Sequence, residues 1–195
     1  MTMVVGFIGV AVWTVSIALI LGALALSIVS RRINEPLIGL VSLLPVAAAL
    51  LLLAFHITLP APAPFFGVFA ALAFGGLGVF AGSPLTSLVL ARAARGQQDG
   101  EYGGILISQA GSRSAREVLR GGAAIGHLER VAIVAGIAVG HPEVVGAVIA
   151  IKGLGRFSEL DSPEARERFI IGTLTSFLWA GACAAVIVLP GGALG

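Results

Sequence analysis

Residues 125–156, IGHLERVAIVAGIAVGHPEVVGAVIAIKGLGR, form a mostly apolar stretch with a turn signal, His141-Pro142, near its middle. If a helix began only after Arg130, residues 131–140 would give about 15 Å of helix, because each residue adds about 1.5 Å. The hydrocarbon core of a bilayer is about 30 Å thick. A membrane-spanning helix therefore has to begin near Gly121, and this places Glu129 and Arg130 at membrane depth.

The part of the stretch after the turn leads to the same conclusion. Residues 144–151 are apolar but too few to cross a bilayer, so Lys152 and Arg156 are also expected within the membrane. Gly153 and Gly155 favour a helix that is short and broken. A re-entrant hairpin, which returns to the side from which it enters, is the alternative interpretation.

The composition indicates that the whole chain is an integral membrane protein. Of its 195 residues 57% are hydrophobic and 11% are charged, and the mean hydropathy is +1.03. Soluble domains carry about 25% charged residues. The single cysteine, Cys183, excludes a disulfide framework and a thiolate metal site. A net charge of +2 is too small to indicate a nucleic-acid partner, and no motif indicates a metal or a cofactor.

The apolar segments predict an all-α fold: a polytopic membrane helix bundle of about six transmembrane helices, with a short broken fifth helix. The chain is expected to form a single domain over residues 1–195, because its polar parts are too short to fold separately. Pro84 is expected to kink the end of the third helix. The predicted helices lie at 3–30, 37–55, 65–91, 122–140, 142–157 and 168–189, and residues 92–121 form a cytoplasmic loop.

The distribution of Lys and Arg predicts the orientation. If the loop at Arg31-Arg32 is cytoplasmic, all twelve Lys and Arg residues lie on the cytoplasmic side or in the cytoplasmic half of a helix. His56, His141 and Glu143 are then on the opposite side. We therefore expect a multi-pass protein of the cell membrane with both termini outside.

Antiparallel pairing of the two halves of the hairpin predicts a charge cluster. Arg130 lies eleven residues before His141 and Lys152 lies eleven after it, so the two positions are level. Glu129 is then expected to pair with Lys152, with Arg130 and Arg156 close by. Lys152, Arg156 and Glu159 are spaced i, i+4, i+7 and share one helical face.

The sixth predicted helix adds further polar side chains. The simplest interpretation is that its basic residues extend to the headgroups, and that its Ser and Thr bond to their own helix. Charges at membrane depth are nevertheless costly and usually mark functional sites. His127, one turn from Arg130, is either a proton relay or an interface hydrogen bond. The candidate substrate-binding residues are Glu129, Arg130, Lys152, Arg156, Glu159, Glu167, Arg168, Thr173 and Ser176.

Three pieces of the C-terminal half, IGHLER (125–130), KGLGRFSEL (152–160) and ERFIIGTLTS (167–176), resemble a family of uncharacterised bacterial integral membrane proteins. The resemblance does not extend to the first three helices, and the family has no assigned activity. It implies a bacterial source. It also implies that the three motifs occur together, which agrees with a single polar cluster.

Three functions are compatible with these features. Glu129 faces three deep basic residues, Arg130, Lys152 and Arg156, which favours an anionic ligand. The first hypothesis is a small transporter or channel-like protein that binds an anionic substrate from the cytoplasm. The second is an inner-leaflet lipid-phosphate-binding protein or a membrane enzyme with Glu129 or Glu159 as base, and the third is a structural accessory subunit. The expected partners are membrane lipids, an anionic small molecule or phosphate headgroup, and a second copy of the chain.

Overall fold

The structure is a computed structural model that describes residues 2–33, 35–57, 59–96, 122–156 and 163–189, and these residues form helices joined by short turns. The predicted all-α helix bundle is confirmed. A 3₁₀ segment, Pro36–Ser42, follows the first helix. The α-helices are α1 Thr2–Arg32, α2 Leu43–Ala54, α3 Pro64–Phe80, α4 Gly82–Gly96, α5 Gly122–Ala138, α6 Val144–Arg156 and α7 Pro163–Val188.

Within the described residues, four segments are long and apolar enough to cross a membrane: Gly6–Arg32, Pro36–Ala54, Pro64–Ala93 and Arg166–Val188. Large apolar side chains cover the outside of the bundle, as expected for helices that face lipid. Leu44, Leu72, Leu154 and Leu178, for example, are between 68% and 81% exposed. The chain therefore has the helices and the surface of a multi-pass membrane protein.

The two remaining predicted spans, α5 and α6, form at the expected places but are shorter. α5 has 17 residues and α6 has 13, which give about 25 Å and 20 Å of helix. Both lengths are below the roughly 30 Å of a hydrocarbon core. The fifth predicted helix is short, as expected, but it continues without a break through Gly153 and Gly155.

The third span contains the break instead. α3 ends at Phe80 and α4 begins at Gly82, with a single turn residue, Ala81, between them. Pro84 lacks a backbone N–H and cannot bond to the carbonyl of Phe80, so the helix is interrupted three residues before the proline. A kink near Pro84 was predicted, but the position of the break and the extension of α4 to Gly96 were not.

The second span is also not one regular helix. Its first seven residues are 3₁₀, and Gly39 in this segment lies against α4. A Cβ atom at Gly39 would come within 2.7 Å of the Cβ atom of Pro84. This close approach joins the 3₁₀ segment to the broken third span.

α7 is the central helix, because α3, α4 and α5 all pack against it. Trp179 donates a hydrogen bond from Nε1 to the carbonyl of Leu77, at 3.0 Å, and Cys183 is fully buried in the same core. A Cβ atom at Gly78 would lie 3.1 Å from the Cβ atom of Cys183, so glycine allows α3 and α7 to touch. Small residues at a helix contact are typical of membrane bundles.

Successive spans alternate in direction, with α3 and α4 as two parts of one span, and this gives the bundle two distinct ends. Arg31, at the end of α1, contacts His127 near the start of α5, and Arg92 lies in the last part of α4; we name this the arginine end. Trp13 of α1 donates a hydrogen bond to the carbonyl of Pro60 at the opposite end, which we name the proline end. α5 leaves the arginine end and α6 returns to it.

The turn between α5 and α6 determines how the hairpin pairs. Gly140 has φ +86°, and the N–H groups of Gly140 and His141 bond back to the carbonyls of Ile137 and Gly136 at 3.1 and 2.7 Å. This pattern is the Schellman motif that ends many helices. Beyond the turn, α6 packs mainly against α5 and is otherwise exposed.

Candidate functional site

The predicted ion pair across the hairpin is present. The Nζ atom of Lys152 lies 2.5 Å from Oε2 of Glu129, with 19% of the lysine side chain and 8% of the glutamate side chain exposed. α5 and α6 bring them together because the turn at Gly140 sets the two positions level. The carboxylate is thus neutralised by its neighbour across the hairpin, as the sequence predicts.

Two phenylalanines of α7 complete the surroundings of Lys152. Its Nζ atom lies 5.9 Å from the ring centre of Phe169 and 5.5 Å from that of Phe177. A cation attracts the negative face of an aromatic ring at such distances. The ammonium group is therefore held by one carboxylate and two rings, at the junction of α5, α6 and α7.

Arg130 points away from this pair, although it follows Glu129 in the sequence. Arg130 is only 3% exposed. Nε donates to the carbonyl of Val79 at 2.6 Å, Nη1 to Ser176 Oγ at 3.0 Å and Nη2 to Ser83 Oγ at 2.9 Å. All three acceptors are neutral, and none of the described carboxylates bonds to Arg130.

The guanidinium of Arg130 spans the break in the third span. Val79 is in the last turn of α3, where carbonyl groups lack helical partners and the helix dipole is negative. Ser83 is in the first turn of α4, and Ser176 is in α7. A Cβ atom at Gly82 would come within 2.7 Å of Cδ of Arg130, so glycine at the break leaves the space that the arginine fills.

The predicted single cluster is therefore divided into two groups, and this corrects the sequence interpretation. Consecutive residues of an α-helix point about 100° apart, since one turn takes 3.6 residues. Glu129 consequently faces α6, whereas Arg130 faces α3, α4 and α7. Within this polar region Glu129 carries one negative charge and Arg130 and Lys152 carry two positive charges, which leaves an excess of one positive charge.

The other candidate residues take different positions. Ser176 is buried and joins Arg130, and Thr173 is half-buried one turn earlier on α7. Glu167 and Arg168 are exposed in the first part of α7. Arg156 is the last residue of α6, and its side chain lies outside the described part of the structure, as does Glu159 together with most of the predicted loop 92–121.

Sequence reasoning did not identify several residues of these groups. Ser83 and the carbonyl of Val79 have no signal in the sequence, because they matter only where the third span breaks. His127 was considered a candidate relay, but its Nε2 accepts a hydrogen bond from Nη1 of Arg31 at 2.6 Å. Its Nδ1 lies 2.6 Å from the carbonyl of Ala123, to which it donates in the neutral tautomer.

Comparison with protein-family models, with curated proteins and with solved structures gives no match for this chain. The resemblance of the C-terminal half to a bacterial membrane family stays a prediction. The described residues contain no group of three or more His, Cys, Asp or Glu side chains that would hold a metal ion.

Proposed function

We propose that this chain is a small transport or channel-like protein of a bacterial cell membrane, with both termini outside, that binds an anionic solute from the cytoplasmic side. The observation that supports the proposal is the excess positive charge buried within the helix bundle. Arg130 is almost fully buried and bonds only to neutral acceptors among the described residues, while Glu129 is bound to Lys152. An anion near these groups would gain charge-assisted hydrogen bonds and balance the charge.

The interrupted third span supports the same proposal. Transporters often place a broken helix beside the substrate site, because the ends of the two half-helices provide free backbone groups. Here the break at Ala81 lies next to a buried cation, and Arg130 already bonds to a carbonyl of the first half-helix. A solute that competes for Arg130 would change how α3 and α4 are joined.

Binding of inorganic phosphate and of acetate to the purified protein in lipid nanodiscs tests this function. Glu129→Gln removes the local negative charge and releases Lys152, so we expect anion affinity to rise about tenfold. Lys152→Gln is expected to lower it. Arg92→Gln, at an exposed position of α4, is the matched control and should leave binding unchanged.

A structural role for the same charges is the second candidate, and one observation favours it. Every buried side-chain nitrogen or oxygen in the described residues has a hydrogen-bond partner. A protein in which the charges only join helices, as in an accessory subunit, would bind neither anion. Glu129→Gln would then reduce stability without creating anion affinity, and this result would contradict the transport proposal.

A further inference from the structure

A groove of about 900 Å³ runs between α3 and α5, on the opposite side of α5 from Lys152. Its walls are apolar side chains that repeat every three or four residues on both helices, such as Leu72 and Val79 on α3 and Val131 and Ala135 on α5. Leu72 is 68% exposed and Val131 is 46% exposed, so the groove opens sideways. The volume is within the range of ligand-binding sites.

Glycine keeps the floor of this groove free. A Cβ atom at Gly75 would lie 3.9 Å from Cγ1 of Val134, its nearest neighbour across the groove. A larger side chain at this position would therefore occupy the space between the helices. The groove extends from Pro64 to Phe80, or about 24 Å at 1.5 Å per residue. This length exceeds the roughly 15 Å depth of one leaflet.

The arginine end of the groove is cationic. The ring of Phe80, which lines the groove, lies 5.5 Å from the ring of His127. His127 is one turn before Val131 on the same face of α5, and it accepts a hydrogen bond from Arg31. Arg31 is exposed, and a guanidinium has five N–H donors, so the contact with His127 leaves donors for a second acceptor.

The charges around Arg31 favour an anion at this end. Arg130 follows His127, the contact of Arg31, by three residues on α5, so two like charges lie in the same part of the bundle and repel each other. A phosphate beside Arg31 would offset that repulsion and accept two parallel hydrogen bonds from the guanidinium. A small soluble anion would leave the apolar groove empty, whereas an amphiphile would fill both parts.

We propose that this groove binds one acyl chain of an anionic phospholipid, whose phosphate is held by Arg31 beside His127. The site is separate from the Glu129–Lys152 pair, so variants of that pair distinguish it from the transport proposal. The apolar walls hold the chain over most of its length, and the arginine selects the charge of the headgroup. The ligand is part of the membrane that surrounds the protein.

Native mass spectrometry of the detergent-solubilised protein tests the headgroup site. The protein is titrated with phosphatidylglycerol or with phosphatidylcholine that carries the same acyl chains. We expect phosphatidylglycerol to bind about tenfold more tightly, and Arg31→Gln to remove this preference. Arg32→Gln removes the same charge from the next residue, and we expect it to have a much smaller effect.

Two substitutions test the groove itself. Gly75→Leu fills its floor and Leu72→Trp narrows its opening. Each substitution should lower the affinity for both lipids about tenfold. The second variant is placed at an exposed position and should fold even if the first does not. Leu178→Trp, at an exposed position of α7 that does not line the groove, is the control and should bind as the unchanged protein does.

The results separate this proposal from general attraction of lipids. Equal losses for Arg31→Gln and Arg32→Gln would show a diffuse basic surface and would overturn the headgroup site. Unchanged binding in Leu72→Trp would overturn the groove as the site of the acyl chain. Glu129→Gln and Lys152→Gln should leave phosphatidylglycerol binding unaltered, whether or not they change binding of phosphate and acetate.

Discussion

At the scale of single residues, Gly82 and Arg130 depend on each other. Gly82→Ala would place a Cβ atom 2.7 Å from Cδ and 2.9 Å from Nε of a side chain that three hydrogen bonds hold in place. We expect a loss of about 1–3 kcal/mol in the free energy of unfolding, as for other overpacked sites. Unfolding in a denaturing detergent, followed by circular dichroism, provides the measurement.

Gly172→Ala is the matched control for this substitution. A Cβ atom at position 172 would lie 3.6 Å from Cδ1 of Leu90 and 3.7 Å from Cγ2 of Thr86, which are ordinary van der Waals distances. An alanine inside a helix is usually more stable than a glycine by about 0.5–1 kcal/mol. Equal losses in the free energy of unfolding for Gly82→Ala and Gly172→Ala would mean that Arg130 does not fill the space beside the break.

The Glu129–Lys152 pair is testable by a double-mutant cycle. Either Glu129→Gln or Lys152→Gln leaves one charge without its partner in a mostly buried place. We therefore expect the two single changes together to lower the free energy of unfolding by more than the double change does. The difference, which is the coupling energy, should be about 1–3 kcal/mol. Additive losses across the cycle would show that the two side chains do not interact in the membrane-embedded protein.

The Glu129–Lys152 pair could be predicted from the sequence, whereas the hydrogen bonds of Arg130 could not. Glu129 and Lys152 follow from counting residues on either side of a turn, because antiparallel helices keep that register. The acceptors of Arg130 lie on three helices, and 46–51 residues separate them from it in the chain. Their positions depend on where the third span breaks and on how α7 packs, and neither is a local property.

At the scale of elements, the turn between α5 and α6 requires a glycine. Gly140 has φ +86°, which costs other residues roughly 1–2 kcal/mol. Gly140→Ala is expected to lower the stability by about that amount, measured by detergent unfolding. Gly146→Ala, with open space around its Cβ atom, should be neutral or slightly stabilising. A neutral Gly140→Ala would mean that the turn takes another conformation.

The same turn gives a prediction for pH. The pKa of Glu143 is lowered from its ordinary value of 4.5, first by its own backbone N–H and then by the His141 side chain. A carboxylate with a lowered folded pKa stabilises the turn above its unfolded pKa, and this contribution is lost as the pH falls through the folded value. We expect the protection of the turn amides, relative to their intrinsic exchange rate at each pH, to fall below pH 4.5, and Glu143→Gln to abolish this change.

An all-helical chain was predictable, but the 3₁₀ segment and the length and continuity of the helices were not. Apolar runs bounded by arginine or proline indicate both ends of α1, the start of α3 and the end of α7 within a few residues, but α3 ends eleven residues before the predicted position 91. The 3₁₀ segment at Pro36–Ser42 and the break at Ala81 contact each other through Gly39 and Pro84. Each irregularity is therefore adapted to a neighbour from another part of the chain, and no pattern within either segment reveals it.

At the scale of the whole molecule, the distribution of Lys and Arg predicts the orientation. We predict that the proline end faces outward and the arginine end faces the cytoplasm. Ile57→Cys, at an exposed position of the proline end, should react with a membrane-impermeant thiol reagent added outside intact cells. Arg92→Cys should react only after the cells are opened. Cys183→Ala removes the native thiol first; the reverse labelling pattern would invert the topology.

The contacts of Arg130 and Glu129 also restrict the order in which the chain is assembled during synthesis. Val79 and Ser83 are synthesised before Arg130, so two of its hydrogen-bond acceptors are already present when α5 leaves the ribosome. Glu129, in contrast, precedes its partner Lys152 by 23 residues. A nascent α5 on its own would expose a carboxylate to lipid, which is costly. The insertion machinery is therefore expected to retain α5 until α6 emerges, and to release the hairpin as one unit.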